Sequence, residues 1–387
     1  MREYEDYPHL LFRRHWQVSA EVHYQLGECD GIIRAISLTP ILPEHYGALL
    51  RLSLTKGAQA TTAIEGNTLT EEEIVRIAEG EQLTKSKEYQ AIEVKNILDA
   101  FNALLQEAFD GHGDHLITPE LLRRFHWMIG QNLGEHLDAI PGQFRTDRRF
   151  VGRYLSPPPE IVPEMVRRLC DWLRSEFHFQ AGQTFSEAVL QAIVTHVYIE
   201  WIHPFGDGNG RTGRLVEFYL LLRAGTPDIA SHILSNHYNL TRAEYFRHFE
   251  HARQSRDLSA FISYAVQGFR DGLLNTLEQI QGSQFEITWR KLVYDKFADR
   301  RLTNRVMFNR QRALMLGMPK KLLTIREIMA ASPPIEAMYE SVTERTARRD
   351  LEALLEMGLV LKEGERWQPN VSLLRTHLAR RRTTASG

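Results

Sequence analysis

Twelve residues near the middle of the chain, His203 to Arg214, constrain its fold and chemistry more than any other stretch. They combine one imidazole, one carboxylate, four glycines and two arginines, and an apolar segment with helical spacing follows them. Glycines let backbone N–H groups approach a ligand closely, and the first turn of a helix leaves such groups unpaired. The sequence therefore predicts a turn that opens a helix and binds an anionic phosphate group.

The charged side chains of this stretch suit nucleotide chemistry. Arg211 and Arg214 are three positions apart, so on one helical turn they would point the same way and clamp phosphate oxygens. Asp207 is a hard oxygen ligand that suits Mg²⁺ held together with phosphates. His203 has an ordinary pKa near neutrality, which suits a general base. We expect a site that binds a nucleotide phosphate chain and deprotonates a group beside it.

Two shorter phosphate-binding motifs are excluded. Residues 208–213 satisfy the pattern G-x-G-x-x-G, but that motif needs a preceding strand within a βαβ unit. The preceding segment, 186–202, has helical character instead. A P-loop requires Gly-Lys followed by Ser or Thr, which this stretch lacks.

Residues 203–214 resemble the signature of the Fic family, H-x-F-x-[DE]-G-N-G-R-x-x-R, and fill every specified position. The resemblance implies a mostly helical fold and transfer of AMP from ATP to a Ser, Thr or Tyr hydroxyl of a protein, with Mg²⁺ as cofactor. His203 would then deprotonate the target hydroxyl, Phe205 would anchor the loop in the core, and Asp207 would hold Mg²⁺. The residues that would bind the nucleotide phosphates are Gly206, Gly208, Asn209, Gly210, Arg211, Thr212 and Arg214.

A segment before the signature also matches the family. Small and apolar residues at helical spacing end at Glu65-Gly66, which predicts a helix of about residues 50–66 closed by glycine. A Glu in the last turn meets the negative end of the helix dipole, which is unfavourable unless a cation meets it. Thr61-x-x-x-Glu65-Gly66 resembles the inhibitory motif [ST]-x-x-x-E-[GN]. By that resemblance Glu65 would pair with Arg214 in the place of the γ-phosphate. An ordinary exposed Glu before a helix-ending glycine is the alternative.

Two further segments resemble substrate-binding parts of the family. Residues 144–156 alternate in character, carry many arginines and end in prolines. They resemble the hairpin flap that holds the target segment by strand pairing, and an arginine-rich surface loop is the alternative. Tyr238, Thr241 and Tyr245 lie where relatives line the adenine pocket. Thr241 stands where Asn is common, so transfer of UMP or another phosphate-linked group remains open, and Tyr245 is equally explained as a core residue.

The charge distribution separates a C-terminal module. Residues 285–387 carry 20 Lys and Arg against 12 Asp and Glu, whereas the first 284 residues carry 27 against 37. A basic part on an acidic body suggests a module with its own partner. Within it, residues 323–329 predict a short helix, a proline-broken loop follows, residues 342–355 predict a second helix, and residues 358–367 predict a small hairpin. This order resembles a winged helix-turn-helix.

The second predicted helix of this module has two interpretations. Three arginines near its start suit contacts to DNA phosphates or bases, namely Arg345, Arg348 and Arg349. Acidic residues on the same helix favour protein contacts or dimerisation instead, namely Glu344, Asp350 and Glu352.

Composition sets the broad class. With 387 residues, 43% hydrophobic and 25% charged, the chain has the composition of a globular protein of two or three domains. It has no stretch of 18 apolar residues, so no membrane span is expected. The polar N-terminus does not resemble a secretory signal, and two distant cysteines, Cys29 and Cys170, give no disulfide framework. These features favour a cytoplasmic protein.

The sequence thus predicts a self-inhibited protein adenylyltransferase that binds ATP and Mg²⁺ and modifies a target protein, with modification of its own hydroxyls also plausible. A homodimer is a further expectation, and no membrane partner is expected. Three alternatives remain open: removal of AMP with Glu65 positioning water, transfer of another nucleotide, and a DNA-binding regulator whose Fic-like part senses nucleotide. The expected divisions are a helical region at 1–110, a catalytic core at 111–280, a winged-helix module at 285–372 and a flexible tail at 373–387.

Overall fold

The structure is a computed structural model, and it describes residues 6–109, 117–152, 154–178, 185–298 and 305–374. The chain divides into two compact units, Met1–Glu278 and Gln279–Gly387. Both are predominantly helical, with only short strands in the described ranges, which confirms the expected mostly α fold class. The predicted tail falls largely on residues 375–387, which lie outside the described residues.

The first unit is a helical assembly with one small hairpin. Its strands β1 (Phe150–Val151) and β2 (Tyr154–Leu155) pair antiparallel, with Val151 opposite Tyr154. The last helix continues into the second unit. The helices are α1 (Ala20–Leu38), α2 (Pro43–Ile64), α3 (Glu71–Ala78), α4 (Glu88–Phe109), α5 (Pro119–Gly130), α6 (Val162–Glu176), α7 (Phe185–Ile202), α8 (Asn209–Arg223), α9 (Ile233–Leu240), α10 (Arg242–Ser255) and α11 (Ser259–Ala298).

Helices α7 and α8 form the centre of this unit and pack against each other. In α8 every residue from Asn209 to Leu221 is buried, and α7 is buried along nearly its whole length. Helix α7 is apolar around most of its circumference, as expected in a protein interior, whereas α8 also buries charged residues. The turn that joins the two helices, residues 203–208, is therefore held by the most buried part of the fold.

Helix α2 is longer than the sequence predicts. It begins at Pro43, well before the expected residue 50, because proline is well accommodated in the first helical turn. It ends at Ile64 with Glu65 as its C-cap residue. Gly66 follows with a φ of +100°, a conformation that favours glycine. The helix end therefore presents Glu65 at a defined position.

In its described residues, the second unit combines four short helices with a three-stranded antiparallel sheet in the order β3-β5-β4. Its core includes Trp367, Leu351 and Leu354, all fully buried. The elements wholly within it are α12 (Arg305–Gly317), β3 (Leu323–Thr324), α13 (Ile325–Met329), α14 (Pro333–Tyr339), α15 (Glu344–Glu356), β4 (Val360–Glu363) and β5 (Arg366–Pro369).

Two sequence expectations for this unit were wrong in detail. The first two residues of the predicted helix 323–329 form β3 instead, because Leu323 pairs with Trp367 across the sheet. The predicted proline-broken loop contains helix α14, since Pro333 occupies the first helical turn, where a missing N–H is harmless. The second helix and the hairpin are confirmed as α15 and the β4–β5 pair.

No helix among the described ranges combines the length and apolar character needed to cross a bilayer.

Candidate active site

The turn between α7 and α8 is fixed by its own polar groups. The Asn209 side chain closes it, accepting from the Phe205 N–H at 2.9 Å and donating to the Phe205 carbonyl at 3.0 Å. The Phe205 ring is fully buried and stacks on His126 with centroids 3.9 Å apart. His203 has a φ of +50°, which is uncommon for a residue with a side chain. Asn209 and Phe205 thus act as internal anchors of the loop.

Three glycines of the turn are required by close approaches or backbone conformation. A Cβ at Gly206 would lie 2.4 Å from the Asp138 carbonyl oxygen. Gly208 caps helix α8 with a φ of +77°. A Cβ at Gly210 would lie 2.2 Å from Oε1 of Glu65. The glycines keep the start of α8 free of side chains, as an anion site requires.

The two arginines of the signature do not share one partner. Arg211 donates to Glu93 at 2.5 Å and to Asp207 at 3.2 Å. Arg214 turns instead to helix α2, where it contacts Thr61 and Glu65. Each guanidinium retains one buried N–H without a hydrogen bond among the described residues, Nε of Arg211 and Nη1 of Arg214. Arg214 lines the catalytic cavity described below, whereas Arg211 does not.

The contact between α2 and α8 is made by Glu65 and Arg214. Nη2 of Arg214 lies 2.5 Å from Oε1 of Glu65, and Nε lies 2.8 Å from the Thr61 hydroxyl oxygen. Burial raises the pKa of Glu65, but the charge and hydrogen bond of Arg214 outweigh it, so the net shift is downward. Arg242 donates to the Ile64 carbonyl at 2.7 Å, which supplies a second cation at the end of α2.

His203 faces the same cavity as Glu65 and Arg214. Burial, followed by the charge of Arg145, lowers the pKa of His203 to about 4. The imidazole is therefore neutral near pH 7 and able to accept a proton. Arg145 also donates to the His203 carbonyl at 2.7 Å and so fixes the backbone of the turn. Nothing in the sequence singled out Arg145 from the other arginines around it.

Glu200 is a third carboxylate in the site, beside Glu65 and Asp207, and sequence reasoning missed it. Its Oε2 lies 3.9 Å from Nδ1 of His203. Burial and the nearby charge of Glu65 raise its pKa to about 7. Its position, one acidic residue at the end of the apolar helix α7, was the available signal.

A cavity of about 190 Å³ brings these groups together. Among the sequence-predicted residues it is lined by Glu65, His203, Gly206, Asp207, Gly208, Asn209, Gly210, Arg214 and Tyr245. Its other lining residues are Ile64, Val151, Glu200, Phe246 and Phe249. We call it the catalytic cavity, after the role that we propose for it below. The predicted residues outside its lining are Thr61, Gly66, Arg211, Thr212, Tyr238 and Thr241.

Several of those outer residues have internal hydrogen bonds. The Thr212 hydroxyl donates to the Gly208 carbonyl at 2.9 Å, within its own helix. Tyr238 is fully buried and donates to Glu217 at 2.9 Å. Thr241 donates to the His237 carbonyl at 2.7 Å. Of the three residues predicted for the adenine pocket, only Tyr245 reaches the catalytic cavity, so the pocket stays a prediction.

Asp207 fits a magnesium ion that is bound together with phosphates. Its side chain is 39% exposed and lines the catalytic cavity. Its Oδ1 accepts hydrogen bonds from the Gly208 N–H and from Arg211, while no hydrogen bond is described for Oδ2. In the described residues no group of three or more His, Cys, Asp or Glu could hold a metal. Mg²⁺ typically uses one or two carboxylates with phosphates and waters, which a lone Asp207 satisfies.

Fold and site define a helical protein built around a buried, glycine-rich anion turn. Residues 116–221 match the model of the Fic/DOC family, so this part of the chain is similar to a Fic domain.

Curated relatives align over about half of this chain. Protein adenylyltransferase fic-1 of Caenorhabditis elegans is 28% identical over 208 residues, which is 54% of this chain and 38% of the relative. Protein adenylyltransferase Fic of Culex quinquefasciatus is 28% identical over 205 residues, 53% of this chain and 38% of the relative. The alignment thus spans well under half the length of these relatives.

Solved structures show the same fold. A Fic family protein from Desulfovibrio desulfuricans G20 superposes with a TM-score of 0.57 at 20% identity, covering 92% of this chain and 98% of that one. Residues 134–508 of Fic-1 from C. elegans give a TM-score of 0.54 at 22% identity, covering 68% and 74%.

Proposed function

We propose that this protein is a self-inhibited adenylyltransferase that transfers AMP from ATP to a hydroxyl of a target protein. The observation that carries the proposal is the position of Glu65, which binds Arg214 beside Gly210 in the cavity that His203 also faces. The names of the curated relatives support the same reaction.

The reaction follows from the groups in the catalytic cavity. A Ser, Thr or Tyr oxygen of the target attacks the α-phosphorus of ATP, and its proton passes to the neutral imidazole of His203. The new O–P bond forms as the bond from the α-phosphorus to pyrophosphate breaks, and pyrophosphate leaves. Backbone N–H groups at the start of α8 and the Arg214 guanidinium would hold the phosphates during this step.

Magnesium would be held by Asp207 together with the phosphates. When bound it would neutralise charge on the phosphate oxygens. Arg214 and the N–H groups at the start of α8 would then orient the nucleotide, and His203 would take up the proton.

Self-inhibition follows from charge and space at Gly210. Oε1 of Glu65 binds Nη2 of Arg214 and lies beside Gly210. A terminal phosphate that bound to Arg214 would therefore meet a second anion, and the two would repel each other. A nucleotide can enter only with that phosphate displaced, which misaligns the α-phosphorus relative to His203. Release of Glu65 would free Arg214 for the phosphate.

The target segment would dock on the flap, residues 144–156. In that hairpin β1 pairs with β2, and Val151 of β1 lines the catalytic cavity. An extended segment that adds to the hairpin by strand pairing would carry its hydroxyl past His203.

The test is label incorporation from α-³²P-ATP with Mg²⁺ and a cell extract as the source of targets. We expect weak labelling by the wild type, strong labelling by Glu65→Gly and none by Glu65→Gly/His203→Ala. Glu79→Gly is the matched control, because Glu79 also caps a helix ahead of a positive-φ glycine, Gly80, but has no ion pair described. Equal labelling by Glu65→Gly and Glu79→Gly would exclude self-inhibition by Glu65.

Two other reactions use the same site and are separated by the same assay. If Glu65 positions water, the wild type would remove label from proteins that Glu65→Gly has modified. If Thr241 shifts nucleotide preference, labelled UTP would replace ATP as the donor.

A DNA-binding regulator remains the second candidate function, and one structural observation favours it. Asp350 of α15 is buried and binds Arg310, Gln311 and Tyr339 inside the second unit. It therefore does not add negative charge beside the exposed arginines Arg345 and Arg349. Salt-dependent retention of the full chain on double-stranded DNA, lost in Arg345→Ala/Arg349→Ala, tests this function.

The oligomeric state and the cellular location also stay predictions. Light scattering on the purified chain would decide whether it is the expected homodimer, and fractionation of its source cells would test the cytoplasmic location.

A further inference from the structure

A second cavity, of about 480 Å³, lies beside the flap and has no part in the reaction proposed above. Three arginines line it, Arg148 just before β1 and Arg253 and Arg256 at the end of α10. We call it the arginine cavity. Its remaining lining residues are Asp6, Tyr7, Pro8, His9, Tyr154, Leu155, Pro158 and Gln254.

Tyr154 lines the arginine cavity and also contacts the end of α7, just before the turn at residues 203–208. Its hydroxyl donates to the Trp201 carbonyl at 2.8 Å, two residues before His203. His9 is buried and its Nε2 lies 3.1 Å from the same hydroxyl oxygen. The Arg253 guanidinium lies over the Tyr154 ring, 5.0 Å from its centroid. This part of the lining is held by hydrogen bonds, so the cavity has a defined shape.

The arginine cavity carries a net positive charge. Arg253 pairs with Glu250 at 2.6 Å and is thereby neutralised. Arg148 and Arg256 are exposed, and neither has an ion pair with a carboxylate in the described part of the chain. Asp6 is the one acidic residue in the lining. Burial, then the charges of Arg253 and Arg256, lower the pKa of His9 to about 4, so His9 adds no positive charge near neutrality.

The two strands of the hairpin contribute residues to different cavities. Val151 of β1 lines the catalytic cavity, and its partner across the hairpin, Tyr154 of β2, lines the arginine cavity. Directly opposed residues in an antiparallel pair have Cα atoms about 4.5–5.5 Å apart. A peptide on the flap would therefore reach both cavities within a few residues.

We propose that the arginine cavity binds a carboxylate or phosphoryl group on the target segment that docks on the flap, a few residues from the acceptor hydroxyl. This inference rests on the proposed function, because that function supplies the segment. The guanidiniums of Arg148 and Arg256 have no carboxylate partner among the described residues. They suit such a group, since arginine binds planar oxyanions in bidentate fashion. The cavity would thus select target segments with an acidic or phosphorylated residue at a fixed distance from the hydroxyl.

The test measures peptide binding without catalysis. The full-length protein is immobilised and exposed to an oriented library of extended peptides with one central Thr and random flanking positions, including Asp, Glu and phosphoserine. Bound peptides are eluted and sequenced. We expect enrichment of acidic or phosphorylated residues by about tenfold at one offset from the Thr, the order of preference that a charge-assisted contact gives.

Matched variants assign that preference to the cavity. Arg148→Ala/Arg256→Ala should lose the acidic enrichment, whereas Arg34→Ala/Arg247→Ala, two exposed arginines that pair elsewhere with Asp30 and Glu244, should keep it. In Arg148→Glu/Arg256→Glu the preference should reverse to Lys and Arg at the same offset. A misfolded protein cannot produce such a reversal.

Two outcomes would overturn the inference. They are uniform flanking positions in the wild type, and acidic enrichment that persists in Arg148→Ala/Arg256→Ala. The peptide measurement involves no AMP transfer. A negative result therefore does not contradict the proposed reaction, and peptide selection by the cavity can be measured even if no labelling from ATP occurs.

Discussion

Glu65 and Arg214 are 149 positions apart in sequence, yet Oε1 of Glu65 lies 2.5 Å from Nη2 of Arg214. The guanidinium is almost fully buried, while about a third of the Glu65 side chain remains exposed. Arg214 is also held by Thr61, both through the hydroxyl and through the backbone carbonyl. The pair therefore joins the end of α2 to α8, at the arginine that we propose to bind a phosphate of the nucleotide.

Thr61 gives a graded test of this contact. Thr61→Val keeps the shape but removes the hydroxyl that accepts from Nε of Arg214. Loss of one hydrogen bond to a charged group is worth about 1.5 kcal/mol, so labelling from ATP should rise about tenfold, less than in Glu65→Gly. Thr62→Val is the control, because the Thr62 hydroxyl bonds only to carbonyls of its own helix. If labelling from ATP rose more in Thr62→Val than in Thr61→Val, the Thr61 hydroxyl would not be the group that holds Arg214.

Nucleotide should stabilise the Glu65→Gly protein more than the wild type. Without Glu65 the free protein loses an ion pair and should be less stable by about 1–2 kcal/mol, a figure reduced for the exposure of Glu65. ATP at about 100 times its Kd then adds about 2.7 kcal/mol. Thermal melts with and without ATP and Mg²⁺ measure both effects. An equal increase in Tm for both proteins would show that Glu65 does not compete with ATP.

Acid should destabilise the first unit through buried histidines. Burial lowers the pKa of His9, His126, His203 and His232 to about 4 from the ordinary 6.5. Between these values the unfolded chain binds more protons, so stability is lost as the pH falls from about 6.5 to 4, by about 1.4 kcal/mol per unit for each group.

Urea unfolding at a series of pH values measures this slope. His232→Gln should flatten it, whereas His23→Gln should leave it unchanged because His23 is exposed. Identical slopes in both variants would mean that His232 is not the buried neutral group described above.

Gly206 should tolerate no side chain. A Cβ there would overlap the backbone carbonyl of Asp138 at 2.4 Å, and a backbone atom cannot rotate away. We expect Gly206→Ala to cost about 2–3 kcal/mol. The control is Gly31→Ala in the interior of α1, where nothing lies within 4 Å of the added Cβ. That change should stabilise by about 0.5–1 kcal/mol. Melting temperatures that move the same way in both variants would refute the clash.

Asp350 should control the stability of the second unit. It is buried and accepts hydrogen bonds from Arg310, Gln311 and Tyr339. Asp350→Ala would strand a partly buried guanidinium, which costs about 3 kcal/mol. Glu352→Ala, on the exposed face of the same helix, should change stability by less than about 0.5 kcal/mol. In scanning calorimetry, the melting temperature of one transition should fall in Asp350→Ala and stay unchanged in Glu352→Ala.

Local patterns in the sequence predicted much of the fold. The glycine predicted to close a helix, Gly66, lies directly after the C-cap residue of α2. Such signals are readable because a cap is decided by residues within one turn of each other. The glycine-rich turn and the helix after it were predictable for the same reason. The strand β3 was not, because Leu323 adopts its conformation through pairing with the distant Trp367.

The sequence by itself determined the chemical character of the site, since imidazole, carboxylate, glycines and arginines are contiguous in residues 203–214. The family resemblance predicted the pair of Glu65 and Arg214, but only the tertiary structure shows the other charge contacts. Arg211 pairs with Glu93, Glu200 lies beside His203, and the arginine cavity is lined by residues of the hairpin and of α10. These contacts join residues far apart in the chain, and burial sets their strength. Neither separation in space nor exposure to water can be read from local spacing.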